Sequence, residues 1–184
     1  MNYPNKKNTY NKVITYGNRG MDLEYDINNA NKYYLENDIA VIHKKPTPVK
    51  VINNDYKTNR IVEAYYEVPS TTDYNGIYKG KYIDFDAKET KSKTSFTLSN
   101  IHKHQIDHLI KVKNHGGISF LIIKFTSLDE TYLFETKFLE EFINNNERKS
   151  IPYEYIKENG YLIDYNYYPR IEYLKVVDKI IKNY

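Results

Sequence analysis

From residue 82 the chain alternates strictly, with Ile83, Phe85 and Ala87 on one side and Asp84, Asp86 and Lys88 on the other. This is the period of a strand with one apolar and one charged face. Within it, Asp86-Ala87-Lys88 sets a carboxylate and an ammonium two residues apart, pointing the same way. Upstream, Ser70-Thr71-Thr72-Asp73-Tyr74-Asn75-Gly76 places a second carboxylate in a turn-like segment just before this hairpin. Two carboxylates hold a hard divalent cation through oxygen ligands. Such an ion lowers the pKa of its bound water and polarises a phosphate, while a nearby lysine offsets charge developing in the transition state. An Asp, a short hairpin and then acid-x-Lys is the arrangement of metal-dependent nucleases. The spacing alone is equally ordinary for a solvated strand face, where acids and lysines alternate.

The elements that must position these residues follow from periodicity. After Asn18-Arg19-Gly20, the steps between Leu23, Ile27, Ala30 and Tyr34 predict a helix over 20–36. A strand over 39–43 ends at Lys44-Lys45-Pro46-Thr47-Pro48, because each proline removes a backbone donor and restricts its predecessor. Residues 49–52 and 61–66 read as the two strands of a hairpin, joined by a polar stretch that carries Lys57 and Arg60. Ser99-Asn100 is placed to cap a helix over 100–114, with the stripe Ile101, Gln105, Leu109 and Val112, which Gly116-Gly117 ends. A glutamine in that stripe needs a polar partner, which a water or ion near the sheet would supply. Next come an apolar run over 118–125, a partner strand over 131–135 and a helix over 137–145. An irregular tyrosine-rich stretch then leads to a closing helix over 172–182. Strands and helices mix without strict alternation, so the expected class is α/β, with helices packed on a mixed sheet.

At 184 residues the chain suits a single domain. Its first 18 residues, rich in Asn, Lys and Tyr without an apolar period, are expected to be a mobile basic arm, and 19–184 the folded unit. There is no cysteine, which removes thiolate chemistry and disulfides and points to the cytoplasm. No apolar run approaches the roughly 18–20 residues of a membrane span, and Met1-Asn2-Tyr3-Pro4-Asn5-Lys6-Lys7 lacks a signal peptide's apolar core. Neither secretion nor membrane insertion is expected. The net charge is +3, but 23 Lys, 21 Tyr, 21 Asn and 21 Ile against 4 Arg and 4 Ala look like an AT-rich coding bias. The distribution of charge says more than its sum. Residues 1–20, 43–60 and 79–113 each carry +4, whereas 129–184 carry −3. Such segregation fits a body with one basic face for a polyanion; clustered surface lysines would give the same count.

Longer motifs narrow the reading. Asn18-Arg19-Gly20-Met21, Ile39-Ala40-Val41-Ile42-His43-Lys44-Lys45-Pro46-Thr47-Pro48 and Ser70-Thr71-Thr72-Asp73-Tyr74-Asn75-Gly76-Ile77-Tyr78-Lys79-Gly80 are followed by Tyr82-Ile83-Asp84-Phe85. Ala87-Lys88-Glu89-Thr90-Lys91, His104-Gln105 and Pro169-Arg170-Ile171 complete the set. Through these the chain resembles the RecU Holliday-junction resolvases, over nearly its whole length beyond the arm. The resemblance implies a restriction-endonuclease-like fold, a mixed β-sheet flanked by helices with a projecting two-strand stalk. It also implies a homodimer that nicks four-way DNA junctions symmetrically in recombination and repair, leaving ligatable 5′-phosphate and 3′-hydroxyl ends. A Mg2+ site, with Mn2+ as an alternative ion, would fall on Thr71, Asp73, Asp86 and Gln105, and transition-state stabilisation on Lys88. Asp73, Asp86 and Lys88 would be the catalytic residues. The family usually has Glu where this chain has Asp86, a carboxylate one methylene shorter. The stalk would span about residues 50–69, with Lys57 and Arg60 meeting phosphates, contacts that position DNA without reading bases. Arg19 is a further candidate DNA contact, and a RecA-type recombinase a candidate partner.

Weaker signals have ordinary explanations beside functional ones. His104 and His108 have the one-turn spacing of zinc sites, without an evident third ligand. The 21 tyrosines are suited to stacking on bases but equally to core and interface. Glu24 and Asp26 either extend the acidic site or are solvated helix positions. Two other functions stay open: a junction-binding protein that bridges DNA and modulates the recombinase without cleaving, and a restriction-like nuclease acting on ordinary duplex.

Overall fold

The computed structural model describes residues 21–66 and 71–182; the arm, Arg19 and Ser70 lie outside them. Helix α1 (Met21–Glu36) leads into β1 (Val41–Lys44), then β2 (Val49–Asp55) and β3 (Arg60–Tyr66). Strands β4 (Tyr74–Tyr78) and β5 (Lys81–Thr90) follow, then β6 (Ser95–Thr97) and helix α2 (Lys103–Asn114). The second half contains β7 (Ile118–Phe125), β8 (Glu130–Glu135), α3 (Thr136–Asn145), β9 (Ser150–Pro152), α4 (Tyr153–Asn159), β10 (Tyr161–Leu162) and α5 (Tyr173–Ile181). Six strands form one sheet in the order β1-β4-β5-β7-β8-β10. Among the described residues only β5 and β7 run parallel, with Asp86 opposite Leu121, and α2 lies in the crossover that such a pair needs. The tight β4–β5 turn at Lys79-Gly80 has both residues at positive φ, 48° and 74°, the conformation that glycine adopts without cost.

Every residue of β7 is buried, so the sheet is covered on both faces at its centre. On one face, Leu23, Ile27, Ala30 and Tyr34 of α1 and Tyr173, Val177 and Ile180 of α5 meet Ile83, Phe85, Phe120 and Ile122. Tyr74, Phe85 and Phe120, on three neighbouring strands, stack as a ladder with centroids 4.9 and 4.8 Å apart. On the other face, Leu109 of α2, Leu139 and Phe142 of α3 and Ile156 of α4 pack on Leu121, Ile123 and Phe134. The close β1–β4 approach needs Gly76, since a Cβ there would stand 2.1 Å from the Val41 carbonyl oxygen.

Among the described residues, β2 and β3 pair only with each other, as a separate two-stranded sheet with Val49 opposite Tyr66. All of their residues except Asp55 are exposed. Asp55 closes the tip by accepting the Lys57 N–H at 2.9 Å and the Thr58 hydroxyl at 2.7 Å. This is the mixed sheet flanked by helices, with a separate two-strand ribbon, that the sequence leads one to expect. Two local expectations fail. Ser99-Asn100 does not cap α2: Leu98–Asn100 form a 3₁₀ turn and the helix starts at Lys103, with His102 as its cap. Ile101 is buried between the two, so burying it interrupts what would otherwise be one helix. The tyrosine-rich stretch is also more ordered than expected, holding β9, α4 and β10. These elements are too short to show a period, and packing on the sheet holds them.

Phe85→Ala removes the middle of the aromatic ladder and should cost about 3–5 kcal/mol of stability; the urea-unfolding midpoint measures it.

Candidate active site

The charged face of β5 does not face water. Asp84 and Asp86 are both fully buried, on the side of the sheet covered by α2, and such carboxylates must be matched by donors or counter-charges. Asp84 is met four times. Its Oδ2 accepts from Lys45 Nζ at 2.8 Å, the Tyr82 hydroxyl at 2.8 Å and His108 Nε2 at 3.0 Å. Its Oδ1 accepts from the Thr72 hydroxyl. One carboxylate thereby joins the end of β1, the segment before β4, β5 itself and α2.

Asp86 is met less completely. Oδ1 accepts from its neighbour's backbone, Ala87 N–H, at 2.9 Å, and from Lys88 Nζ at 2.9 Å. Oδ2 is buried and has no hydrogen-bond partner among the described residues. Beside it stands Asp73, whose Oδ2 is 3.8 Å from the same Lys88 Nζ. Neighbouring carboxylates disfavour each other's charged form, so the more deeply buried one keeps its proton more readily. Burial first, and then the hydrogen bond and charge of Asp73, push the Asp86 carboxyl up to about 7, against the pull of Lys88. Burial alone would raise Asp73 too. The proton on Asp86, the Lys88 charge, the Ala87 N–H and Lys44 together hold it below the ordinary aspartate value.

A buried carboxylate oxygen without a donor among the described residues, next to a second carboxylate, marks a place where a cation would be accommodated. The donor set consists of Asp73, the orphaned Asp86 oxygen and the Thr71 hydroxyl: all are oxygens, the chemistry of a hard divalent ion, and the residues fit one. Among the described residues no three His, Asp or Glu side chains converge, so remaining ligands would come from neutral oxygens, water or a phosphate. Thr71 is exposed, and its Oγ1 accepts from Lys45 Nζ at 3.1 Å.

The other expected residues divide. Gln105 is buried, as its place in the stripe requires, but its Oε1 accepts the His102 N–H at 3.1 Å. The partner demanded by its burial is thus the first turn of its own helix. The zinc spacing comes to nothing: His108 is engaged by Asp84, while His104 stacks on His102 with centroids 5.4 Å apart. Glu24 pairs with Lys44 at 2.5 Å. Asp26 is neither solvated nor in the acidic site; it is buried, 3.7 Å from Arg170. Lys57 and Arg60 are exposed at the tip of the β2–β3 ribbon. Reading the sequence missed Lys45, Thr72, Tyr82 and His108 as partners of the site. Asp84 was visible beside Asp86 on the alternating face, but the burial of that face was not.

The raised pKa of Asp86 has a pH signature. Asp86 has a folded-state pKa near 7, above its unfolded value of 3.8, so its contribution to stability is complete below about pH 4 and is lost as pH rises through about 7. The lowered pKa of Asp73 acts in the opposite sense, but only below about pH 4. In EDTA, melting temperatures from about pH 5 to 8 should therefore fall for the wild type relative to Asp86→Asn. Added Mg2+ should recover the loss at the alkaline end.

The family described as Recombination protein U matches residues 18–179. A protein of Oceanobacillus iheyensis described as Holliday junction resolvase RecU is 53% identical over 194 aligned residues, spanning 98% of this chain and 99% of that protein. One of the same description from Staphylococcus epidermidis is 52% identical over 202 residues, spanning 98% and 96%. Among solved structures, Archaeoglobus fulgidus Hjc, described as a Holliday junction resolvase from an archaeal hyperthermophile, aligns with 79% of this chain and 92% of its own at 13% identity and a TM-score of 0.45. With a family match over nearly all of its length and relatives above half identity from end to end, this chain belongs to the RecU family.

Proposed function

We propose that this protein is a Holliday junction resolvase, a divalent-metal-dependent endonuclease that makes paired, symmetric nicks in four-way DNA junctions. One observation carries the reading: a fully buried, incompletely satisfied carboxylate, Asp86, beside the partly exposed Asp73, with the Lys88 ammonium 2.9 Å from the first and 3.8 Å from the second, in a chain whose full-length relatives are described as junction resolvases. Asp73 and Asp86 would hold the ion, with Thr71 from the exposed edge. Gln105 completes the set only if its amide leaves the α2 cap. A bound Mg2+, or Mn2+ in its place, supplies Lewis acidity and a water of lowered pKa.

The chain's own groups do the rest. Lys88 hydrogen-bonds one carboxylate at 2.9 Å and stands 3.8 Å from the other, so it keeps N–H donors for a phosphoryl oxygen and stabilises the charge that grows there. Asp73 and an ionised Asp86 would both be available as ligands to such an ion. The short Asp86 side chain is fixed by the Ala87 N–H, which limits its reach and makes metal preference a property of this site. A two-fold homodimer supplies matched sites for two nicks on opposed strands. The β2–β3 ribbon, exposed on both strands and tipped by Lys57 and Arg60, serves as the stalk that meets junction phosphates.

With Mg2+, the wild type should release paired nicks from a labelled four-way junction. Asp73→Asn and Lys88→Ala should each lose about 10²–10³-fold in rate while binding the junction normally without metal. Tight binding without nicks in Mg2+ or Mn2+ would favour a DNA-bridging role, and equal cutting of linear duplex a restriction-like one. Lys57→Ala with Arg60→Ala should weaken junction binding and lower the slope of log affinity against log salt by about 1–2. The melting temperature should not change, because neither side chain packs on the body.

A further inference from the structure

The Thr71–Asp73 segment carries two of the proposed ligands, yet neither belongs to a strand, since β4 begins only at Tyr74. What holds the segment is Lys45. Its backbone N–H donates to the Asp73 carbonyl at 2.7 Å, continuing the β1–β4 ladder by one bond. Its side chain, 15% exposed, crosses to the site side of the sheet and gives Nζ three acceptors: Thr71 Oγ1 at 3.1 Å, Thr72 Oγ1 at 2.5 Å and Asp84 Oδ2 at 2.8 Å. An ammonium has three N–H donors and no more. Lys45 is saturated by the protein and has no donor left for DNA, unlike Lys88. Asp84 completes the fastening, because the Thr72 hydroxyl that receives from Lys45 donates in turn to Asp84. Asp84 and Asp86 lie on the same face of β5, so whatever binds Thr72 to Asp84 also sets the distance from Asp73 to Asp86.

We propose that Lys45 and Asp84 form a buried ionic clamp that holds the Thr71–Asp73 segment at the spacing from Asp86 that a divalent cation needs. They are positioning residues: they set metal affinity without contacting the metal or the DNA. The clamp rests on the reading of Asp73 and Asp86 as the metal pair. Partners that orient metal ligands are commonly worth 10–100-fold in affinity or activity, and a charge pair shared between two strands and a connecting segment is an orienting partner of this kind.

The full chain is titrated with Mn2+, following the free ion by electron paramagnetic resonance, as wild type, Lys45→Met, Asp73→Asn and the double variant Lys45→Met/Asp84→Asn. The double variant removes both charges together, so it folds without leaving one of them unpaired. Melting temperature, junction affinity in EDTA and single-turnover nicking accompany each titration. Lys45→Met and the double variant should bind Mn2+ about 10–100-fold more weakly, with nicking recovering as Mn2+ is raised. Junction affinity in EDTA should stay at the wild-type value, and the double variant should also melt like the wild type. Wild-type Mn2+ affinity in either folded variant overturns the clamp while leaving the metal site intact, provided that Asp73→Asn abolishes binding. Loss of junction affinity in EDTA overturns it too, because Lys45 would then be a DNA contact. If Asp73→Asn binds Mn2+ like the wild type, the metal pair itself is wrong and the clamp falls with it.

Discussion

Two carboxylates two residues apart on β5 are wholly out of water, and the rest of the site is arranged around making that tolerable. Burying a carboxylate costs several kcal/mol unless opposite charge and hydrogen bonds replace the lost water. Asp84 meets this requirement in full, with an ammonium, an imidazole and two hydroxyls. Asp86 meets it in part, with one ammonium and one backbone N–H, and its Oδ2 has no partner among the described residues. The satisfied carboxylate is suited to structure and the unsatisfied one to binding. The difference between them follows from their neighbours, not from residue type.

The burial itself is a consequence of topology. A parallel β5–β7 pair requires a crossover, and the connection carries α2 across the face on which Asp84 and Asp86 point. That helix contributes Leu109 to the core and His108 to Asp84, one residue apart, so the same packing that stabilises the sheet closes the polar pocket. On the opposite face the ladder of Tyr74, Phe85 and Phe120 keeps β4, β5 and β7 in register. Register matters for the chemistry because a slip of one residue would turn Asp84, Asp86 and Lys88 to the other side. Glu89, on that other side, accepts the Leu23 N–H at 3.0 Å and so ties the first turn of α1 to the strand that carries the site.

Much of this was legible because it depends on local period. The alternation over 82–88 fixes which side chains share a face, the apolar run over 118–125 reads as a buried strand, and the steps of Leu23, Ile27, Ala30 and Tyr34 mark α1. The separate ribbon was legible too, since two short strands with a polar connection pair locally. What failed did so for stated reasons. Ile101 is drawn into the core between a 3₁₀ turn and α2, and β9, α4 and β10 are too short to show a period. Asp26 looks solvated on a helix wheel until Arg170 arrives from the far end of the chain.

By itself the sequence determined where the candidate residues stand and which faces they share: Asp73 ahead of the hairpin, Asp86 and Lys88 on one side of β5, and the basic tip of the ribbon. It did so because strand period and motif spacing are properties of neighbouring residues. Only the tertiary structure decided that the charged face is buried, that Gln105 caps its own helix, and that Lys45 spends all three donors on Thr71, Thr72 and Asp84. The Lys45 contacts span 26 to 39 positions of chain, and the burial of the face is set by how α2 and the end of β1 pack on the sheet. A charge acquires its role there from what excludes water around it.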